Sequence, residues 1–138
     1  MVEVKVKARA VGATARVGRH GHPRIVSETG GQLDVVTGAS APGFNPLDLL
    51  YSSLAACLVL SARIAASRLG ILDKLEDVCV HVTGHKSSGE PARVEVFEAT
   101  FELLGDFDAQ ERAEITHMAE EICTVSNTLL TKPVIRIL

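Results

Sequence analysis

The 138-residue sequence lacks the features that would place it in several large classes of protein. It has no excess of positive charge, because 14 Lys and Arg stand against 17 Asp and Glu, for a formal net charge of −3. Proteins that bind nucleic acid through phosphate contacts need a basic face, so no nucleic-acid partner is expected. The longest apolar stretch, Leu54–Leu60, has seven residues. Because a bilayer requires roughly 20, no membrane partner is expected either.

Cysteine is scarce and odd in number. Three cysteines cannot all be paired, so they do not form a disulfide framework. The first residues, Val2–Ala10, alternate apolar and charged side chains, which indicates a half-buried strand rather than a signal peptide. We therefore predict a cytoplasmic protein whose thiols start reduced and in which any disulfide is transient.

Sequence patterns for metal ions and cofactors are also missing. The five histidines do not follow the His-x-Glu or Cys-x-x-Cys spacing of a metal site. Gly30 and Gly31 lack the further glycines and the lysine of a phosphate-binding loop. We expect neither a metal nor a bound cofactor.

The elements that the sequence does contain follow the order of a single α+β domain, residues 1–138. Short strands come first, then a long helix, two longer strands, a second helix, a short helical turn and a last strand. The predicted strands are Val2–Ala10, Thr14–Val17, Arg24–Ser27, one within Leu33–Val36, Val78–Val82, Val94–Leu104 and Val134–Leu138, and the later helices are Asp108–Ile122 and Ser126–Leu130.

The long helix has the clearest start signal. Asn45 is a good N-cap, Pro46 suits the first helical position, and Asp48 lies in the first turn, where the helix dipole favours negative charge. The helix is predicted to run to about Leu69 and to end at Gly70.

The same helix carries no charge on any face from Leu49 to Ala62. A helix that is apolar all round must be covered on all sides. A chain of this length can hardly do so alone, so we predict a homodimer wrapped around the central helix.

Two of the cysteines are candidates for chemistry. Cys57 lies within the uncharged helix and Cys123 at a helix break, 66 positions later. Taken singly, each is more often inert packing, although the helix break gives Cys123 a position in which backbone N–H groups of the following turn would favour its thiolate. If the fold brings them together, the chain has a reactive thiol and a second thiol to resolve it. We interpret Cys79, in a predicted strand, as a core residue.

A reactive thiolate needs a nearby cation or hydrogen-bond donor to lower its pKa. The candidates are Arg16, Arg19 and Arg24 among the first strands, and Arg63, which points to another side of the helix than Cys57. Asp48 could orient such an arginine. Since Asp48 and Cys57 are nine residues, or half a turn, out of phase, Asp48 cannot touch Cys57 in one straight helix, and a capping role for it is slightly favoured.

These residues together resemble the OsmC/Ohr family, the osmotically inducible and organic-hydroperoxide-resistance proteins. The resemblance is carried by Asn45-Pro46-x-Asp48-Leu49-Leu50, by Ser53-Leu54-Ala55-Ala56-Cys57 and by Cys123-x-Val125-Ser126-Asn127. It implies antiparallel sheets wrapped around a long central helix in an intertwined homodimer.

The resemblance also implies a thiol peroxidase for organic hydroperoxides. Cys57 would be oxidised to a sulfenic acid, Cys123 would resolve it as a disulfide, and an external dithiol would reduce both. The activating arginine of such enzymes lies in a Gly-Arg-x-Gly turn, which is Gly18-Arg19-His20-Gly21 here. The organic-hydroperoxide branch has a glutamate where this chain has Leu47. An acid one residue later, here Asp48, resembles the OsmC-like branch.

Two other functions remain open. A dimeric protein that binds a lipid-like or other small ligand beside the helix is favoured by the missing glutamate and opposed by the two cysteines. A thioesterase-like protein usually has a carboxylate in mid-helix, which Leu49–Ala62 lacks.

Overall fold

The computed structural model describes residues 8–138. The chain divides into two compact units, the first ending at Leu49 and the second comprising Leu50–Leu138. A single domain of residues 1–138 stays a prediction. Most of the predicted strand Val2–Ala10 lies outside the described residues, and residues 8–10 are not in a strand.

The first unit contains a three-stranded antiparallel sheet in the order β1-β2-β3. Strand β2 has the predicted bounds, β1 is shifted one residue towards the N-terminus, and the three-residue β3 begins one residue before the predicted segment. The strands are β1 (Ala13–Arg16), β2 (Arg24–Ser27) and β3 (Gln32–Asp34).

Helix α1, Pro46–Arg68, is the predicted long helix. Its start is closed by reciprocal bonds: the Asp48 N–H donates to Asn45 Oδ1 at 2.8 Å, and the Asn45 N–H donates to Asp48 Oδ2 at 3.0 Å. These two bonds form a capping box and satisfy N–H groups that a helix start leaves without partners. The helix stops where Gly70 adopts a φ of +74°, a conformation that glycine adopts without a Cβ clash.

The second unit is built from a long hairpin, two helices and the body of α1. Strands β4 (Leu75–Lys86) and β5 (Val94–Gly105) pair antiparallel, and helices α2 (Ala109–Ile122) and α3 (Thr124–Leu130) follow. Asp108 and Glu111 form a second capping box at the start of α2, as the predicted helix start at Asp108 requires.

Two clusters of buried side chains hold this unit together. The alanine cluster packs small side chains of α1 against the hairpin and α2, and the cysteine cluster lies nearer the start of α1. Their buried members are Ala62, Ala65, Ala66, Leu103, Phe107, Ile115 and Ala119 for the alanine cluster, and Leu54, Leu58, Val82 and Cys123 for the cysteine cluster.

A glycine in β4 allows close packing beside the cysteine cluster. A Cβ on Gly84 would stand 2.8 Å from the ring of Tyr51, closer than side chains pack, so only glycine fits against α1 here. The Tyr51 ring meets Phe97 of β5 edge to face, with 6.0 Å between ring centroids. This contact fixes the part of the hairpin that faces the first turns of α1.

The predicted last strand, Val134–Leu138, is wrong. These residues form no strand, and Val134, Ile135 and Ile137 are 75%, 83% and 92% exposed. Their apolar pattern is typical of a strand, but a strand needs a neighbour to pair with, and none is present in the part of the chain that the structure describes.

The predicted fold class is confirmed: antiparallel sheets and one long helix form an α+β structure. Helix α1 is long and apolar enough, by length and composition, to cross a membrane, with 33% of the relevant window buried. The core helix of a soluble protein passes the same test, so the expected lack of a membrane partner stays a prediction.

Candidate functional site

The structure brings Cys57 and Cys123 together, although 66 positions separate them in the sequence. Cys57 packs against the cysteine cluster, of which Cys123 is a buried member. Cys123 is fully buried and Cys57 is half-buried, and both are free thiols. The arrangement comes from two local events: α1 carries Cys57 through the core, and the break between α2 and α3 turns Cys123 towards it.

The surroundings of Cys57 favour its thiolate. Burial by itself raises the pKa of Cys57, but the N–H groups of Val125 and Thr124, the Cys123 thiol and the Ser61 hydroxyl donate hydrogen bonds to its sulfur, and the net result is a lowered pKa. Hydrogen bonds to the charged form favour that form. Cys57 therefore carries more thiolate at neutral pH than an ordinary cysteine.

The surroundings of Cys123 act in the opposite direction. Burial raises the pKa of Cys123, and the bond to Cys57 and the charge of the Cys57 thiolate raise it further, against the lowering effect of the Ser126 and Val125 N–H groups. The Ser126 N–H stands 3.3 Å from the Cys123 sulfur, which serves as the N-cap of α3. Cys123 is therefore the thiol that keeps its proton while Cys57 loses its own.

A groove of about 990 Å³ is lined by residues next to the two cysteines in the chain, although neither cysteine lines it. Its apolar walls come from α1, β5 and α3, and it includes Leu54 and Leu58, which flank Cys57 on α1, and Ser126, whose N–H contacts Cys123. Polar side chains occur among the other lining residues. The apolar lining residues are Leu54, Leu58, Val94, Val96, Phe97, Ala99, Phe101, Leu129 and Leu130, and the charged ones are Arg93, Glu95, Glu120 and Lys132.

Arg19 and Asp48 lie in the first unit. Arg19 is exposed in the bend that follows β1, and no carboxylate among residues 8–138 forms an ion pair with it. Asp48 is half-buried and its carboxylate is engaged with the Asn45 N–H in the capping box. The capping interpretation of Asp48 matches these bonds, and an ion pair between Arg19 and Asp48 is not formed.

Cys79 is not a core residue as predicted. It lies on the exposed face of β4, opposite Glu102 of β5. The alternation along β4 was interpreted in the wrong phase, because the side chains that face the core are Val78, Val80 and Val82, and Cys79 lies on the opposite face. Residues 8–138 contain no group of three or more His, Cys, Asp and Glu side chains arranged to hold a metal ion.

Sequence reasoning missed three groups that lower the pKa of Cys57. Two are the backbone N–H groups of Thr124 and Val125, which no sequence pattern reveals because every residue except proline has one. The third is the Ser61 side chain. Its signal was its position four residues after Cys57, on the same face of the helix.

The fold and the sequence were compared with those of known proteins. A sequence profile of the family described as OsmC-like protein matches residues 38–137. A comparison with curated protein sequences finds no match.

Solved structures with the same fold include the following three. An OsmC-like protein from Mycoplasma pneumoniae has a TM-score of 0.78 at 22% identity, with 91% of each chain covered. An organic hydroperoxide resistance protein from Elizabethkingia anophelis has 0.72 at 20% identity, covering 94% of this chain and 93% of its own. The organic hydroperoxide resistance protein OhrB of Bacillus subtilis has 0.64 at 23%, covering 88% and 91%.

Proposed function

Because the chain belongs to the OsmC-like protein family, we propose that it is a thiol-dependent peroxidase that reduces organic hydroperoxides. Two proteins of similar fold carry the name organic hydroperoxide resistance protein. The observation that carries the proposal for this chain is the contact between two free thiols whose pKa values are moved in opposite directions, that of Cys57 down and that of Cys123 up.

This difference assigns the order of the two thiols. The thiolate is the nucleophile, so the cysteine with the lowered pKa, Cys57, reacts first. It attacks the terminal oxygen of the hydroperoxide, the O–O bond breaks, and the sulfur becomes a sulfenic acid while the alkoxide leaves and takes a proton from water.

The second step uses Cys123. Its thiol loses a proton and attacks the sulfenic sulfur, the S–O bond breaks, and the oxygen leaves as water, so that a Cys57–Cys123 disulfide forms. An external dithiol then reduces this disulfide by two successive thiol–disulfide exchanges and is itself oxidised. No bound cofactor takes part in either step.

The apolar groove that Leu54, Leu58 and Ser126 help to line supports an organic substrate. The groove is lined by leucine, phenylalanine and valine side chains, and covering an alkyl or aryl group with them makes binding more favourable. Hydrogen peroxide has no such group. We therefore expect cumene hydroperoxide to react faster than hydrogen peroxide.

Arg19 and Asp48 complete the proposed site, Arg19 in the role that the resemblance implies and Asp48 in the capping role that the helix start indicates. Arg19 is the proposed cation that stabilises the Cys57 thiolate, and Asp48 supports the helix start. Replacing Arg19 with Ala should slow the reaction with hydroperoxide by raising the pKa of Cys57. An unchanged rate would assign the activating role to other groups.

The proposal includes a cytoplasmic homodimer. Leu60 and Ile64 of α1 are 50% and 42% exposed, and the apolar residues at positions 134–138 are almost fully exposed. Apolar surface of this extent favours association with a second copy. Sedimentation should give twice the mass of the chain, and a monomer at micromolar concentration would contradict it.

The test of the peroxidase function is direct. The reduced protein is treated with one equivalent of cumene hydroperoxide, and the disulfides are mapped by mass spectrometry, with Cys57→Ser as the control. Rapid formation of a Cys57–Cys123 bond in the wild type, and none in the control, is the expected result.

One specific observation favours a second function, the binding of a lipid-like molecule: the same apolar groove would hold such a ligand without any reaction. Thiols that stay unreacted under excess hydroperoxide would overturn the peroxidase and leave binding as the function. A fluorescent fatty acid that binds to the wild type and is released by Leu58→Glu would then be the supporting result.

A further inference from the structure

The break between α2 and α3 is built around Cys123. This residue is at once the C-cap of α2 and the N-cap of α3, with φ −64° and ψ 108°. Its N–H donates to the Ala119 carbonyl oxygen at 3.0 Å, and its own carbonyl oxygen accepts from the Asn127 N–H at 3.0 Å. The position of its sulfur therefore depends on how the two helix ends are joined.

The side chain of Asn127 crosses this break. Its amide nitrogen Nδ2 donates to the carbonyl oxygen of Glu121 at 3.0 Å, six residues earlier in the chain. That carbonyl lies in the last turn of α2, where carbonyl oxygens have no partner within their own helix. A side chain that belongs to α3 thus caps the end of α2.

The sulfur of Cys123 makes a second bond at the same break. It accepts the Ser126 N–H at 3.3 Å and so satisfies one of the N–H groups that the start of α3 leaves without a helical partner. The Asn127 amide therefore closes the end of α2, and the Cys123 sulfur closes the start of α3.

Helix α3 has few other contacts that could keep it in place. It has seven residues, and isolated helices shorter than about 12 residues are marginal in water. Val125 and Leu129 pack against the cysteine cluster, but none of the residues of α3 is buried. A side-chain bond to α2 should therefore contribute measurably to where α3 and the adjacent Cys123 are held.

We propose that Asn127 is a positioning residue for the second thiol: its bond to the Glu121 carbonyl oxygen holds Cys123 where it can attack the oxidised Cys57. The inference rests on the proposed function for the attack, whereas the bond across the break does not. In the attack the Cys123 thiol loses its proton, an S–S bond forms as the S–O bond of the sulfenic acid breaks, and the proton and hydroxide leave as water.

The effect of the bond on this step follows from geometry. Cys57 packs against the cluster in which Cys123 is buried, so the two thiols start as neighbours. Without the Asn127 bond, Cys123 spends more of its time in other positions. The rate of an intramolecular reaction falls with the fraction of molecules that have the reacting atoms in place.

The test is Asn127→Ala, with the two steps followed separately. Reduced protein is mixed with one equivalent of cumene hydroperoxide at a pH where the first step has reached its plateau, so that the thiolate is fully formed. Acid-quenched samples are analysed by mass spectrometry for the sulfenic acid and the disulfide. Conversion of sulfenic acid to disulfide should slow about two- to tenfold, as expected for one neutral hydrogen bond, and sulfenic acid formation should stay within about twofold of the wild type.

The matched control is Thr128→Ala. Thr128 is the next residue of α3, is exposed like Asn127, and donates from its hydroxyl to the Thr124 carbonyl oxygen at 2.7 Å, within α3. Both substitutions place alanine, the residue of highest helix propensity, in the same helix, but the bond lost in Thr128→Ala does not reach α2. This control should leave both steps within about twofold of the wild type, and melting curves verify that both variants fold.

A second measurement needs no hydroperoxide. In a buffer of oxidised and reduced glutathione, Cys57 and Cys123 form their disulfide while one oxidised glutathione takes up two electrons and two protons and becomes two reduced ones. The equilibrium ratio gives the effective concentration of one thiol at the other. It should fall about two- to tenfold in Asn127→Ala and stay unchanged in Thr128→Ala.

Two results would overturn the proposal. One is disulfide formation by Asn127→Ala at the rate of the wild type, and the other is an equal loss of rate in Thr128→Ala, which would assign the effect to the stability of α3 alone. The peroxidase function fails separately. If the wild type does not react with cumene hydroperoxide while Asn127→Ala still lowers the effective concentration, the positioning role stands and the enzyme does not.

Discussion

The region around Cys57 and the break that holds Cys123 are adjacent parts of one cluster, yet they treat a thiol in opposite ways. Both sulfurs are withdrawn from solvent, which raises the pKa of each. Hydrogen-bond donors lower the pKa of Cys57 by more than burial raises it, whereas the pKa of Cys123 stays raised. Burial alone thus says little about the reactivity of a cysteine.

The difference arises from where each sulfur lies relative to the start of α3. The N–H groups of Val125 and Thr124 lower the pKa of Cys57, whereas the N–H groups of Ser126 and Val125 lower that of Cys123, with the Ser126 N–H 3.3 Å from its sulfur. The bond between the two thiols then adds to the asymmetry, because it favours charge on one partner and protonation of the other. One pair of residues therefore contains a nucleophile and a proton-holding second thiol.

The largest expected effect is the loss of the first thiol. Cys57→Ser should abolish consumption of cumene hydroperoxide, because a serine hydroxyl keeps its proton at neutral pH and Cys123 has a raised pKa. The measurement is hydroperoxide remaining after mixing with reduced protein. If this variant consumed hydroperoxide at a rate near that of the wild type, Cys57 would not be the thiol that reacts first.

A smaller effect is expected from the loss of the second thiol. Cys123→Ser should still consume one equivalent of hydroperoxide and then stop, because the sulfenic acid at Cys57 has no thiol to resolve it. Dimedone labelling of Cys57, detected by mass spectrometry, tests this. Sustained turnover with a dithiol would mean that reductant attacks the sulfenic acid directly and that Cys123 is not needed.

The pH dependence of alkylation compares the two thiols within one molecule. The lowered pKa of Cys57 gives it the larger thiolate fraction at every pH below the pKa of Cys123, and the advantage shrinks as the pH rises above that pKa. At pH 7 Cys57 should be alkylated at least about tenfold faster. Equal rates near neutral pH would contradict the order assigned to the two sulfurs.

The smallest effect is expected at the N-terminal end of α1. Asp48→Ala removes half of the capping box and should lower the free energy of unfolding by about 0.5 to 1 kcal/mol, measured by urea denaturation. Asn45→Ala is the matched variant, since it removes the other half of the same box. If Asp48→Ala slows disulfide formation much more than Asn45→Ala does, the carboxylate has a role beyond capping.

Much of the fold follows from local signals that the sequence carries openly. Asn45, Pro46 and Asp48 mark the start of α1 and Gly70 its end, and Asp108 marks the start of α2, because capping depends on residues within one turn of the helix end. The strand predicted at residues 134–138 failed for the opposite reason. Pairing depends on a distant neighbour, which the local pattern cannot supply.

The candidate site divides in the same way. Helical spacing could have indicated Ser61, because a residue four positions after Cys57 lies on the same face of the helix. A serine within an apolar run does not by itself indicate such a role. The backbone donors of Thr124 and Val125 depend on how the break after α2 meets α1, which is a tertiary property. The contact between Cys57 and Cys123 was likewise conditional on the fold.

The sulfur that caps α3 has a consequence for observing this protein. Helices α1 and α2 begin on oxygen acceptors that no redox reaction alters, whereas α3 begins on the Cys123 sulfur, 3.3 Å from the Ser126 amide. Conversion of that thiol to a disulfide changes the acceptor of the Ser126 proton. The ¹⁵N–¹H resonance of Ser126 is therefore a built-in reporter, whose position should follow the oxidation state without dye or label at the reacting atoms.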